Sequence, residues 1–250
     1  MAQLMFNNTA LMGTNKVGDL KSDENGYYYV CLGALEYPNS YGATYDLNPG
    51  KELLSSTSPF MRQIKKGQLW GEYGHPEKDG LTNEQYLQRI YTVREKFQSH
   101  HIREVIIDEN ATDVNGRKFI AIYGWVKPSG PYAQYLEKQL KDKDQCVSFS
   151  IRSLTNDKMV GGKLTKALVT IITWDYVGEP GLDVATKWNS PALEELDSYT
   201  FSTSEIKSLL AQQQASGHGL ESSCAKMMET LRRVESAELP KQGKPSWVGW

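Results

Sequence analysis

Cysteine and histidine are scarce in this chain: three cysteines (Cys31, Cys146, Cys224) and four histidines in 250 residues. The cysteines are odd in number, far apart and without a Cys-x-x-Cys pair, which argues for free thiols in a reducing compartment and against a disulfide scaffold. With so few histidines, and no His-x-x-x-His or mixed Cys/His cluster, no metal site is expected. The glycine-rich stretches around Gly33 and Gly161-Gly162 lack the phosphate-cradling and dinucleotide patterns, so no nucleotide cofactor is expected. No apolar run approaches the ~20 residues that span a bilayer. Met1 to Gly13 lacks a basic start followed by an apolar stretch, so neither a membrane span nor a secretory signal is expected. Nor is there an excess of one charge. The formal net charge of −2 excludes the broad basic footprint of a nucleic-acid or anionic-membrane binder.

What remains is an ordinary globular composition, 39% apolar and 23% charged, long enough for one domain with a sizeable core plus an appendage. Residues 1–25 read as a loose polar arm, Tyr27 to Leu32 as a strand, and residues 36–58 as loop. A short helix over Met61 to Gln68 leads into a strand at Leu69 to Tyr73. Thr82-Asn83 caps a helix running to about Phe97. Arg103 to Glu109 and Lys118 to Val126 read as a hairpin with Asn115-Gly116 at its tip. A helix follows from Pro131, then strands at Gln145 to Ser153 and Lys166 to Val177. Beyond Asn189, Ser, Gln, Glu and Lys dominate and two helices are expected, about 203–214 and 221–237. The expected architecture is α+β: a β-barrel-like core of mainly antiparallel strands flanked by helices over 1–190, and a helical C-terminal tail over 191–250.

Two segments carry the chemistry. Gly71-Glu72-Tyr73-Gly74-His75-Pro76 holds a histidine where the backbone is tightly constrained. Val147-Ser148-Phe149-Ser150-Ile151-Arg152 puts Ser148, Ser150 and Arg152 on one side of a strand by alternation. A histidine base beside a serine is the minimum for hydroxyl nucleophilic catalysis, and a third group must orient the imidazole. Asp175 is one candidate, because a carboxylate in the otherwise apolar run Ile172 to Val177 is costly without a partner. His100 and His101 are rivals for that role.

In order and separation, Gly-Glu-x-x-His-Pro, Ser-x-Arg after a helix, and apolar-Asp-x-Val-x-x-Pro resemble the prohead (capsid maturation) proteases of tailed bacteriophages. The resemblance covers about residues 65–185 and is to the T4-type morphogenetic serine proteases, which are related in fold to the herpesvirus assemblins. Ser99-His100-His101-Ile102 is also similar to a Ser-His-x-Ile element in such sequences. The resemblance implies His75 as catalytic histidine, Ser150 as nucleophile because it precedes Arg152 by two, and Asp175 as third member. Ser148 is the competing nucleophile, and His100 the competing third member, since the herpesvirus relatives use a histidine there. Arg152, or backbone N–H groups near it, would support the oxyanion. The implied substrates are phage scaffold and major capsid precursor proteins, cut after a short motif ending in glutamate inside a prohead assembled in the host cytoplasm. Leu193-Glu194-Glu195 is such a motif, so self-cleavage near Glu195 is expected, leaving the tail as a targeting segment, a scaffold-binding segment or a restraint on activity. Self-association is compatible with this reading. The contrasting expectation is a non-catalytic virion structural or scaffold-binding protein on a protease-like fold.

Overall fold

The computed structural model describes residues 3–7, 9–12, 22–39, 42–112, 117–142, 144–178, 198–216 and 221–238. Two long hairpins set the architecture. Strands β8 (Ser148–Val160) and β9 (Lys163–Val177) pair antiparallel through the turn at Gly161-Gly162, both left-handed with φ of 57° and 78°. Strands β6 (Gln98–Thr112) and β7 (Lys118–Pro128) form the second pair, as the Asn-Gly signal implies; the turn itself lies outside the described residues.

Around β8 and β9 grows a six-stranded sheet. β1 (Gln3–Asn7) and β2 (Thr9–Met12) pair with β8, β10 (Ser198–Ser202) pairs with β1, and β4 (Thr44–Tyr45) runs parallel to β9. Around β6 and β7 grows a four-stranded sheet in the order β3 (Tyr28–Leu35), β7, β6, β5 (Trp70–Glu72). A parallel bridge from Tyr73 to Tyr176 ties the end of β5 to β9 and so joins the two sheets. The α+β expectation therefore holds, with mainly antiparallel sheets and flanking helices.

Helix starts follow capping chemistry. Ser58 caps α2 (Pro59–Lys65), with proline at its first position. Thr82 and Gln85 form a reciprocal capping box on α3 (Asn83–Tyr91). The expected helix to Phe97 stops six residues early, because Thr92 turns extended and its hydroxyl bonds back to the Gln88 carbonyl. The loop expected over 36–58 contains α1 (Leu47–Leu53), whose proline and glycine fall within the helix and mask it in the sequence. Asp46 caps α1, and Gly50 lies where a Cβ would strike Leu35. Helix α4 (Ala133–Lys141) starts two residues after Pro131. The N-terminal arm, expected to be loose, is instead partly captured as β1 and β2 by the backbone groups of β8.

β9 is buried without a break from Leu168 to Val177, so both of its faces are covered and serve two cores. Trp174 and Tyr176 enter a cluster with Phe149, Ile151, Leu69, Ile102 and Leu136. Val169 and Ile172 enter a second cluster with Leu154, Ile90 and Tyr91. The same second core takes Phe201, Ile206 and Leu209, then Met227, Leu231 and Val234 of α6 (Glu221–Glu238). The segment expected as an appendage thus supplies a strand, α5 (Thr203–Ser216) and α6 to the body. Its polar composition reflects the exposed helix faces. The boundary drawn at 190 lies outside the described residues.

Phe201 is 1% exposed, so Phe201→Ala should remove about 3–5 kcal/mol of unfolding free energy. Urea denaturation should show this as one shifted transition of the whole domain. Loss of C-terminal helicity with the main transition unmoved would instead mark an independent tail.

Candidate active site

The Gly-Glu-x-x-His-Pro segment is shaped by its crossing of β9. A Cβ at Gly71 would lie 2.1 Å from the Trp174 carbonyl oxygen and 2.2 Å from the His100 ring, so only glycine allows this approach. Glu72 follows and is buried, its N–H donating to Asp175 Oδ1 at 3.1 Å. Gly74 takes a left-handed φ of 75° while its N–H donates to the Tyr176 carbonyl. That turn delivers His75 to Asp175, with Nδ1 3.0 Å from Oδ2. Against an ionised carboxylate, Nδ1 carries the proton and donates it.

Asp175 is fully buried and held by a fully buried arginine. Arg152 Nε donates to Asp175 Oδ2 at 2.8 Å and Nη2 to Oδ1 at 2.7 Å, a two-pronged pairing of fixed geometry. Nη2 also reaches Glu72 Oε2 at 2.9 Å. Nη1 faces the carbonyls of Ile90 and Thr92 at 3.4 and 3.1 Å, at the C-terminal end of α3, where the helix dipole favours a cation. Arg89, in the last turn of α3, pairs with Glu72 through both terminal nitrogens. The result is a buried array of two carboxylates, two guanidiniums and one imidazole. Burial pushes the Asp175 pKa up, but the Arg152 charge and the bonds from His75 and Arg152 hold it well below the usual carboxylate range.

Ser150 is fully buried and lies directly across the strand pair from Asp175. Opposed residues in an antiparallel pair share a face with Cβ atoms about 4.5–5.5 Å apart, so Ser150 stands on the face of Asp175 and Arg152. Ser148, 1% exposed, lies one position along the same face, opposite Val177. Ala10 of β2 flanks Ser150 and Met12 flanks Ser148 on the other side.

The expectation that Arg152 faces an oxyanion meets a different arrangement. Its guanidinium nitrogens are engaged by two carboxylates and two carbonyls, so it braces Asp175 instead of pointing into open space. His100 packs close by, against Gly71: its ring sits edge-on to Phe149 at 5.2 Å, its Nδ1 is 2.8 Å from Ser99 Oγ, and the Asp175 charge acts on it. Burial drives its pKa down to about 4, which keeps it neutral. Among the described residues, no hydrogen bond joins it to His75. His101 bonds the Gly67 carbonyl and Tyr27, also away from His75. Glu195 lies outside the described residues, and no cluster of three or more metal-ligating side chains occurs among those described. Glu72 and Arg89 are the members that sequence reasoning left without a role. Glu72 stands inside the quoted motif, so its signal was present; Arg89 looks like any helix-surface arginine until α3 is docked.

The array ties stability to pH with a definite sign. Asp175 is held below its unfolded pKa of about 3.9, so its contribution is complete above that value and is lost as pH falls below it. Asp175→Asn should therefore be less stable than wild type in urea titrations at pH 7, and the gap should narrow below about pH 4. Arg152→Met leaves two buried carboxylates short of a partner and should cost about 3–5 kcal/mol at pH 7.

Comparison with known proteins places the chain in a family. The model of the peptidase S80 family matches residues 6–233, a span that runs through α5 into α6. The capsid maturation protease of Pseudomonas phage phiKZ is 40% identical over 201 residues, covering 78% of this chain and 73% of that protein. A solved structure, the capsid assembly protease of bacteriophage T4, aligns with 71% of this chain and 99% of its own at 12% identity and a TM-score of 0.49. With a family match over most of its length and a relative at 40% identity, the chain belongs to the peptidase S80 family.

Proposed function

We propose that this protein is a serine endopeptidase of phage prohead maturation, acting on scaffold and capsid precursor proteins in a head assembled in the host cytoplasm. The observation that carries the reading is the buried His75–Asp175 hydrogen bond, with Ser150 facing Asp175 across β8 and β9. The peptidase family and the phiKZ relative, a capsid maturation protease, support the substrate class.

In this mechanism Ser150 Oγ attacks the scissile carbonyl while His75 Nε2 takes its proton, then returns it to the departing amine. Water repeats the cycle to release the acyl group. Asp175 keeps the Nδ1–H tautomer and stabilises the imidazolium as it forms. It can do so because Arg152 holds its carboxyl ionised and fixed. With Arg152 engaged, the developing oxyanion is left to backbone N–H groups, each such donor being worth about 3–4 kcal/mol in an acyl-transfer site. The substrate motif ends in glutamate, and Glu195 is the site proposed within this chain. A cut there would divide the chain without detaching β10, α5 and α6, which the strand pairing and second core hold in place.

The reading is tested by incubating wild type, His75→Ala, Ser150→Ala and Ser148→Ala with capsid precursor protein and with a fluorophosphonate probe. His75→Ala and Ser150→Ala should lose processing by a factor of about 10³ or more, while Ser148→Ala retains most of it. Processing that survives Ser150→Ala and fails in Ser148→Ala would move the nucleophile to Ser148. Mass spectrometry of wild type beside Ser150→Ala should show a cut after Glu195 only in the former, and an intact active enzyme would contradict self-cleavage.

A further inference from the structure

Helix α6 is separated from His75 by more than 140 residues of sequence, yet a continuous set of buried contacts connects them. It begins at Tyr91, the last residue of α3. The Tyr91 hydroxyl donates to Thr230 Oγ1 at 3.1 Å, and Ser223 Oγ donates to the Tyr91 carbonyl at 3.2 Å. Thr230 Oγ1 gives its own proton to the Lys226 carbonyl at 2.8 Å, so it is oriented to accept from the phenol. Tyr91, Ser223 and Thr230 are all buried. Helix α6 thus grips one residue of α3 at both its phenol and its main chain. A further grip lies on β9, where Lys226 Nζ donates to the Ile172 carbonyl at 2.7 Å, three residues before Asp175.

Tyr91 is flanked by Ile90 and Thr92, whose carbonyls receive Arg152 Nη1. Arg89 on the same turn bonds the Thr92 carbonyl as well as Glu72. The end of α3 is therefore the wall against which Arg152 is seated, and α6 sets the position of that wall. From there the contacts run Arg152 to Asp175 to His75.

We infer that α6 is a positioning element of the active site: through Thr230 and Ser223 it fixes Tyr91, and thereby the Arg152–Asp175 pair that orients His75. The inference rests on the proposed protease reading for its meaning in catalysis, but the structural link stands on its own. It assigns the C-terminal segment a working role in the folded enzyme, retained after any cut between β9 and β10.

The test uses full-length protein labelled with ¹⁵N-histidine and follows the His75 Nδ1 proton, assigned by its loss in His75→Gln. Thr230→Val and Tyr91→Phe should each speed exchange of that proton with water roughly tenfold, less than the ~100-fold that a full 1 Å misplacement of a reacting group can cost. Fluorophosphonate labelling should slow by a similar factor. The double variant should do no more than either single one, because both remove the same link. Arg233→Gln is the control. It breaks different α6 contacts, the ion pairs with Glu52 and, within the helix, with Glu229, and should leave the His75 proton unchanged. Equal exchange in wild type, Thr230→Val and Tyr91→Phe would overturn the inference. So would an effect of Arg233→Gln as large as that of Thr230→Val, which would mean general loosening of α6. A wild-type protein that the probe does not label would count against the serine-protease reading alone, since the exchange measurement still decides the positioning role.

Discussion

The bidentate pair between Arg152 and Asp175 is the contact on which the rest of this site depends. A carboxylate taken out of water on an apolar strand would ordinarily protonate, and a protonated Asp175 could not orient an imidazolium. Arg152 prevents this with two directed hydrogen bonds and a full charge. The guanidinium is itself buried, so it needs partners beyond Asp175. Glu72, Ile90 and Thr92 supply them, and Arg89 balances the second carboxylate. Each member is tolerable inside the protein only because the others are present. Such an array contributes little net stability compared with an apolar packing of the same volume, but it fixes geometry, which is what the proposed role of His75 in proton transfer requires.

Most of the fold was legible because its elements follow local rules. The Asn-Gly hairpin, the capped helix after Thr82 and the apolar run before Asp175 all stand where periodicity and capping put them. The failures share a cause. α1 carries proline and glycine that normally mark loops, and β1, β2 and β10 are strands of only four or five residues that exist because β8 and β1 offer open edges to pair with. Tertiary pairing overrides propensity at such places. The Gly161-Gly162 pair is a readable hairpin signal, but the polar Asn156, Asp157 and Lys158 before it hide how far β8 runs.

The site was legible in its residues more than in its wiring. His75, Ser150 and Asp175 could be singled out by motif order, and the structure places His75 on Asp175 with Ser150 opposite. What sequence could not give was direction. Arg152 shares a face with Ser150, which suggests a donor aimed at substrate, but a long side chain on a strand can reach along the sheet as well as away from it. It reaches back to Asp175 because a buried carboxylate and a helix C-terminus lie there. The two C-terminal helices stand where expected, but the same limit hid their docking: their polar composition describes their outer faces and says nothing of Thr230 meeting Tyr91 across the second core.

The most direct test of this account is a crystal structure of the full-length enzyme reacted with a peptidyl phosphonate. The expected result is a covalent adduct on Ser150 Oγ, His75 Nε2 within hydrogen-bond reach of the adduct, and the Arg152–Asp175 pair unchanged behind it. An adduct on another residue, or an Arg152 released from Asp175 to contact the phosphonyl oxygen, would contradict it.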